Sequence, residues 1–259
     1  KKIIEMDNMQ IEAWKNSLDQ RNPAVIKGQS GTGKTILARA LAKQRSESGL
    51  KTILICKQLL LNRENKSALS DTSVDSFAYY ELLFFLIENM SKENLSKDHI
   101  FKFVNEKLKE KNFNPHRGFQ GDVYEHIALK SKDILKIFSG TYDAVIIDEG
   151  QQFNKDELEA FKELLTTKNK NTITVFSDPD QSKDMKWEQP EWLIEYPPLQ
   201  KNYRNTNAIV KQQEGVLNKE LYESDFFGAE PSFTYIKSDN KFFNSLIKDW
   251  KLLIKKWGI

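Results

Sequence analysis

One cysteine, three histidines and a formal net charge of +2 in 259 residues exclude several classes of function at the outset. The lone Cys56 rules out a disulfide framework within the chain. Neither it nor His99, His116 and His126 falls at a metal-ligand spacing. Such sparing use of cysteine fits a reducing, cytoplasmic compartment. Long apolar runs are missing as well. The longest, Leu82 to Ile87, is far short of the ~20 residues that a membrane-crossing helix needs, and no secretory signal is visible, so no membrane partner is expected. Lys and Arg (39) nearly balance Asp and Glu (37), so bulk charge announces no nucleic-acid binder and leaves only a local basic groove open. Internal repeats and low-complexity tracts are absent.

What is present suffices for a sizeable core. Hydrophobic residues make up 39% of the chain, enough for one large domain or two moderate ones. Four short apolar runs read as buried strands: Ala24–Lys27, Thr52–Cys56, Ala144–Asp148 and Thr172–Ser177. Their β-branched content and lack of alternation suit a parallel sheet covered on both faces. Helical patterns separate them. Lys34 to Ser48 is rich in Ala and Leu and stops at Gly49, a C′ residue by type. Asn154 and Glu157 form a capping-box start, after which Leu158, Phe161 and Leu165 share a face. Strands alternating with helices predict an α/β doubly wound core.

Residues 74–135 differ in character. They are helical in pattern and lysine-rich, with apolar faces from Phe77, Phe84, Phe85, Phe101 and Phe103. The expectation is a helical insertion between strands of the core; the plainer alternative is a continuation of the α/β layers. Near the end, Phe243, Leu246, Ile247, Trp250, Ile254 and Trp257 follow helical spacing opposite Lys248, Lys251, Lys255 and Lys256. Such a helix packs on a neighbouring domain or lies on a membrane surface, and packing is the expectation.

The strongest local signal is Gly28-Gln29-Ser30-Gly31-Thr32-Gly33-Lys34-Thr35, a full match to G-x-x-x-x-G-K-[ST] between a strand and a helix. Its glycines let several backbone N–H groups turn inward and approach phosphate closely. The helix N-terminus adds free donors and partial positive charge. Lys34 supplies a full charge to β- and γ-phosphates, and the Thr35 hydroxyl is a hard oxygen ligand for Mg²⁺. Downstream, the run Ala144-Val145-Ile146-Ile147 ends in Asp148-Glu149. A carboxylate at the tip of a strand beside the phosphate-loop strand can hold the metal shell, the role for Asp148. Glu149 is then placed to orient and deprotonate an attacking water.

At this point the chain resembles superfamily 1 DNA/RNA helicases of the UvrD/Rep type. Met6-Asp7-Asn8-Met9-Gln10 resembles the Q motif, whose glutamine reads the adenine edge, and Gln10 inherits that role. Thr52–Lys57 and Ser73-Val74-Asp75-Ser76-Phe77 resemble the strand-contacting motifs. Asp148-Glu149-Gly150-Gln151-Gln152-Phe153 resembles D-E-[AG]-Q-D-F, with Gln151 as the coupling glutamine and Gln152 departing from the usual aspartate. Phe176-Ser177-Asp178-Pro179-Asp180-Gln181 resembles motif III and gives Gln181 the γ-phosphate-sensing role. Leu199-Gln200-Lys201-Asn202-Tyr203-Arg204 resembles motif IV and makes Arg204 a finger-like residue that offsets charge on the transferring phosphoryl group. Trp187 is a candidate for stacking on a base, with ordinary packing as the alternative.

The resemblance implies a RecA-like P-loop NTPase core in two parts, residues 1–73 and 136–204, around the insertion at 74–135. It also implies ATP and Mg²⁺ as cofactors and single-stranded DNA or RNA as the track. Motifs V and VI have no counterpart here, and the chain opens Lys1-Lys2 rather than with Met. Residues 205–259 are therefore expected to begin a second motor domain or to form a C-terminal helical segment. Either the chain is a fragment, or the second half of the motor comes from elsewhere; a second motor domain or a nuclease subunit is the further partner the resemblance implies. The rival reading is an ATP-dependent switch or interaction module of a larger nuclease or defence assembly, without unwinding of its own. A P-loop kinase is disfavoured, because nothing resembles an acceptor site.

Overall fold

The computed structural model describes residues 8, 10–12, 15, 23–92, 131–166, 172–181, 187–217, 220–222, 224 and 227. Six strands form one parallel sheet: β1 (Ala24–Gly28), β2 (Thr52–Cys56), β3 (Asp75–Ala78), β4 (Ala144–Ile147), β5 (Ile173–Ser177) and β6 (Ile194–Leu199). Their order is β3-β2-β4-β5-β1-β6, and every neighbouring pair is parallel. The helices are α1 (Lys34–Glu47), α2 (Leu59–Ala68), α3 (Tyr79–Lys92), α4 (Ser131–Ile137), α5 (Lys155–Phe161) and α6 (Asn207–Leu217). The fold is thus α/β, of the P-loop NTPase kind.

Successive strand residues point to opposite faces, and both faces are covered. Val25, Ile53, Ile55, Val145, Ile147 and Val175 join side chains of α3, α4 and α5 in one core. Ile26, Leu54, Ile146 and Phe176 meet Leu37, Ala38, Leu41 and Ala42 of α1 in the other. This is why the four central strands read as unbroken apolar runs. Each fully buried Leu, Ile or Phe contributes roughly 1.5–3 kcal/mol. Tyr79, Phe153 and Phe161 meet edge to face, with centroids 5.3 to 5.6 Å apart, and lock α3 and α5 to the first core.

Local chemistry sets the helix ends. Helix α1 stops where Gly49 turns left-handed at φ 84°, with Gly49 N–H bonded to Ser46 O and Leu50 N–H to Arg45 O. That pair of bonds satisfies the last carbonyls of the helix. Helix α5 starts with the reciprocal box: Glu157 N–H donates to Asn154 Oδ1 at 2.8 Å, and Asn154 N–H to Glu157 Oε2 at 3.0 Å.

Three features depart from the sequence expectations. β5 separates β4 from β1, so the Asp148 strand is not beside the phosphate-loop strand. The two remaining strands, β3 and β6, carry too little apolar signal to be read. β3 has four residues, and β6 contains Pro197 and Pro198, tolerated because the strand lies at the sheet edge. The described ends of the expected insertion supply β3, α3 and α4 to the core layers. Residues 93–130 of that segment, with His99, His116 and His126, and the amphipathic stretch 241–257 lie outside the described residues. No helix among the described residues is long and apolar enough to cross a membrane.

Candidate nucleotide site

In a parallel sheet all strands end at one edge, and here Gly28, Ile147, Ser177 and Leu199 end side by side. The chain leaves β1 through Gly31 and Gly33, both at φ 88°, and Gly33 is the residue preceding α1. Lys34 is 5% exposed. Its Nζ donates to Gly28 O at 2.7 Å and Gln29 O at 2.9 Å, and lies 3.6 Å from Asp178 Oδ2. The ammonium is therefore folded into its own loop, where phosphate oxygens would compete for it.

Asp148, at the tip of β4, is fully buried. One carboxylate oxygen accepts from Glu149 N–H at 3.0 Å, and the other, Oδ2, accepts no hydrogen bond among the described residues. Burial pushes this carboxyl up to about 6. The Thr35 hydroxyl pulls it down, the Glu149 carboxylate raises it further, and the Lys34 ammonium also lowers it. A buried, under-coordinated carboxylate oxygen beside a hydroxyl is a donor set suited to a hard divalent cation that keeps most of its other ligands from water and phosphate. Burial likewise raises the neighbouring Asp178 carboxyl, with Lys34 opposing.

Glu149 is the one non-glycine among the described residues with positive φ, at 58°. A side chain in that region costs on the order of 1 kcal/mol, a strain typical of working sites. The backbone then presses onto β5: a Cβ on Gly150 would lie 2.3 Å from Val175 Cγ1. Gln151, 6% exposed, bridges the two acidic strand tips. Its Oε1 accepts from Asp178 N–H at 2.9 Å and its Nε2 donates to the Glu149 carboxylate. A glutamine suits this bridge because it offers one acceptor and one donor at adjacent atoms.

The remaining expected residues surround this centre unequally. The Gln10 amide donates to Thr32 O at 3.0 Å, which sets it against the phosphate loop. Gln29 accepts from Tyr222 N–H at 2.8 Å and reaches Asp180 at 3.5 Å. Gly28 is held to glycine by the Thr32 hydroxyl, 2.5 Å from where a Cβ would stand. Gln181 is exposed at the end of the short 3₁₀ turn after β5. Arg204 is exposed beside Gly31. Trp187, like Trp192, is partly buried and packs against the first core, with its indole Nε1 inside, which is the ordinary-packing arrangement. Lys57, in the stretch that resembles a strand-contacting motif, turns inward to Glu157 at 2.8 Å and lies 5.1 Å from the Phe153 ring centroid.

Two residues of the site escaped the sequence reading. Asp178 ends the apolar run of β5 as Asp148 ends that of β4, so the same strand-then-acid signal could have found it. Asn202 stands in the stretch that resembles motif IV, where the resemblance gives a role to Arg204 alone. It is 4% exposed, and its contacts fall on the phosphate loop 172 residues away.

A family model described as an AAA domain matches residues 17–177. No curated protein matches the sequence. Among solved structures, domain III of the Thermotoga maritima replication initiation protein DnaA is similar at 14% identity and a TM-score of 0.38, over 84% of this chain and 74% of that one. The Pif1 helicase from Candida albicans is similar at 15% identity and a TM-score of 0.38, over 68% and 33% of the two chains. The Bacteroides Pif1 bound to ssDNA is similar at 13% identity and a TM-score of 0.33, over 93% and 45%. The chain thus spans less than half the length of either helicase.

Proposed function

The chain belongs to the AAA domain family, and from that premise we propose that it binds ATP with Mg²⁺ at the strand tips and hydrolyses it. The observation that carries this reading is the buried Asp148 carboxylate with an uncoordinated oxygen, facing Thr35 and Lys34. Thr35 and Asp148 would hold the metal. When bound there, Mg²⁺ neutralises charge on the β- and γ-phosphate oxygens. The N–H groups of residues 29–35 cradle the phosphates, and Lys34 exchanges the Gly28 and Gln29 carbonyls for phosphate oxygens. Glu149 takes the proton of the attacking water, and Gln151 holds its carboxylate in place until then. Gln181 and Arg204 approach the terminal phosphate from the exposed side, and Gln10 reads the base.

The finer reading rests on the motif resemblance: the motor portion of a superfamily 1 helicase or translocase, moving on single-stranded DNA or RNA. Residues 205–259 would begin a second motor domain. ATP turnover measured with and without single-stranded DNA or RNA tests it. Stimulation of tenfold or more by the strand is expected for a motor. A rate indifferent to either nucleic acid favours the switch or interaction module instead.

A further inference from the structure

We propose that Asn202 is the positioning residue through which the phosphate loop sets the place of Arg204. The inference rests on the reading of Arg204 as the arginine that acts on the terminal phosphate. Both ends of the buried Asn202 amide are occupied. Nδ2 donates to Ser30 O at 3.1 Å, and Oδ1 accepts from the N–H groups of Arg204 and Asn205, both at 3.0 Å. The next residue adds a second tie, Tyr203 N–H to Gly31 O at 2.8 Å. The fit is close. A Cβ on Gly31 would lie 2.5 Å from Asn202 Oδ1 and 3.1 Å from Arg204 Cβ.

These contacts fix backbone to backbone. The exposed Arg204 guanidinium has no ion pair among the described residues, so its aim is inherited from the turn that Asn202 closes. The carbonyls of Ser30 and Gly31 belong to the loop whose N–H groups must turn toward phosphate, and Lys34 now occupies the carbonyls just before them. Any adjustment of the loop on binding nucleotide therefore moves residues 202–205, and with them the start of α6. A primary amide suits the position, since its donor and acceptor on one carbon serve both the loop and the turn, and asparagine carries it at the short reach these contacts have. Aspartate keeps the acceptor for the turn and loses the donor to Ser30 O.

The test compares the full chain with Asn202→Asp, Arg204→Ala and the double variant. Its readouts are ATP turnover, ADP affinity with Mg²⁺, and hydrogen exchange of the 199–206 amides with and without ADP. In Asn202→Asp, kcat is expected to fall roughly tenfold or more through misplacement of the arginine. KM and ADP affinity stay within about twofold, and nothing further is lost in the Arg204→Ala background. ADP is expected to alter exchange at Tyr203–Asn205 in the wild type and not in Asn202→Asp. Wild-type kcat in Asn202→Asp, or losses that multiply in the double variant, overturns the proposal. A wild type without turnover, or Arg204→Ala at the wild-type rate, sinks the phosphate-contact reading of Arg204 instead. The exchange arm then decides the coupling by itself, and an ADP response identical in both proteins overturns it. Should Asn202→Asp melt early, Asn202→Ser, which keeps a short acceptor for the turn, takes its place.

Discussion

The tips of β4 and β5 and the flank formed by Gln181 and Arg204 are built on opposite principles. At the tips, Lys34, Asp148, Gln151 and Asp178 are nearly closed to solvent, and Asp178 already meets both Lys34 and Gln151. On the flank, Gln181 and Arg204 are exposed, and their placement comes from the backbone turns they end. The difference teaches where each kind of work is done. On the proposed reading, charges that would be dry and fixed before nucleotide arrives sit at buried strand tips and at the start of α1, at the expense of stability. On the same reading, groups that would meet only the terminal phosphate wait in water, where an unpaired charge costs little.

Substitutions can break this contrast, and the largest effect is expected at its centre. Glu149→Gln should lower ATP turnover by about 10²–10⁴ while leaving nucleotide bound, as a loss of general-base catalysis; single-turnover measurement beside equilibrium binding separates the two. Next, Lys34→Ala removes the charge-assisted phosphate contact and should weaken nucleotide affinity by roughly a hundredfold, read by calorimetry.

Asp148→Asn sharpens the contrast from the other side. The wild-type carboxyl stays protonated up to about pH 6 in the folded chain and only up to about 3.8 in the unfolded one. The unfolded state therefore ionises first, and above pH 6 the wild type is less stable for it by on the order of 3 kcal/mol. Without Mg²⁺, Asp148→Asn is expected to melt above the wild type at pH 7 to 8, with the gap closing toward pH 4. A gap that does not change with pH would remove the buried-charge account. The smallest effect belongs to the flank. Gln181→Ala, the loss of one hydrogen bond worth ~1 kcal/mol, should slow turnover about fivefold and leave the melting temperature unchanged.

The centre was also the part legible in sequence, and the reason is physical. The phosphate loop must be contiguous, because successive N–H groups converge on one anion, so Gly28 to Thr35 declares itself. Strands β1, β2, β4 and β5 are buried on both faces and read as apolar runs. The acid pair Asp148-Glu149 ends such a run. Edge strands face a weaker demand, which hid β3 and the Pro197-Pro198 strand β6. Sheet order was hidden too, since no local pattern says that β5 enters between β1 and β4. Asp178 therefore went without a role although it lies 3.6 Å from Lys34 Nζ. Asn202 depends on a contact between two loops far apart in sequence, which its place in the motif IV stretch does not announce. Trp187 shows the converse, since an aromatic near a functional motif packs against the core.

Calorimetric titration with a non-hydrolysable ATP analogue tests directly for a metal-dependent nucleotide site at the buried strand tips. One saturable site is expected with Mg²⁺ present, markedly weakened by chelation and by Asp148→Asn. Affinity equal with and without the metal, or no heat of binding in its presence, would contradict the account.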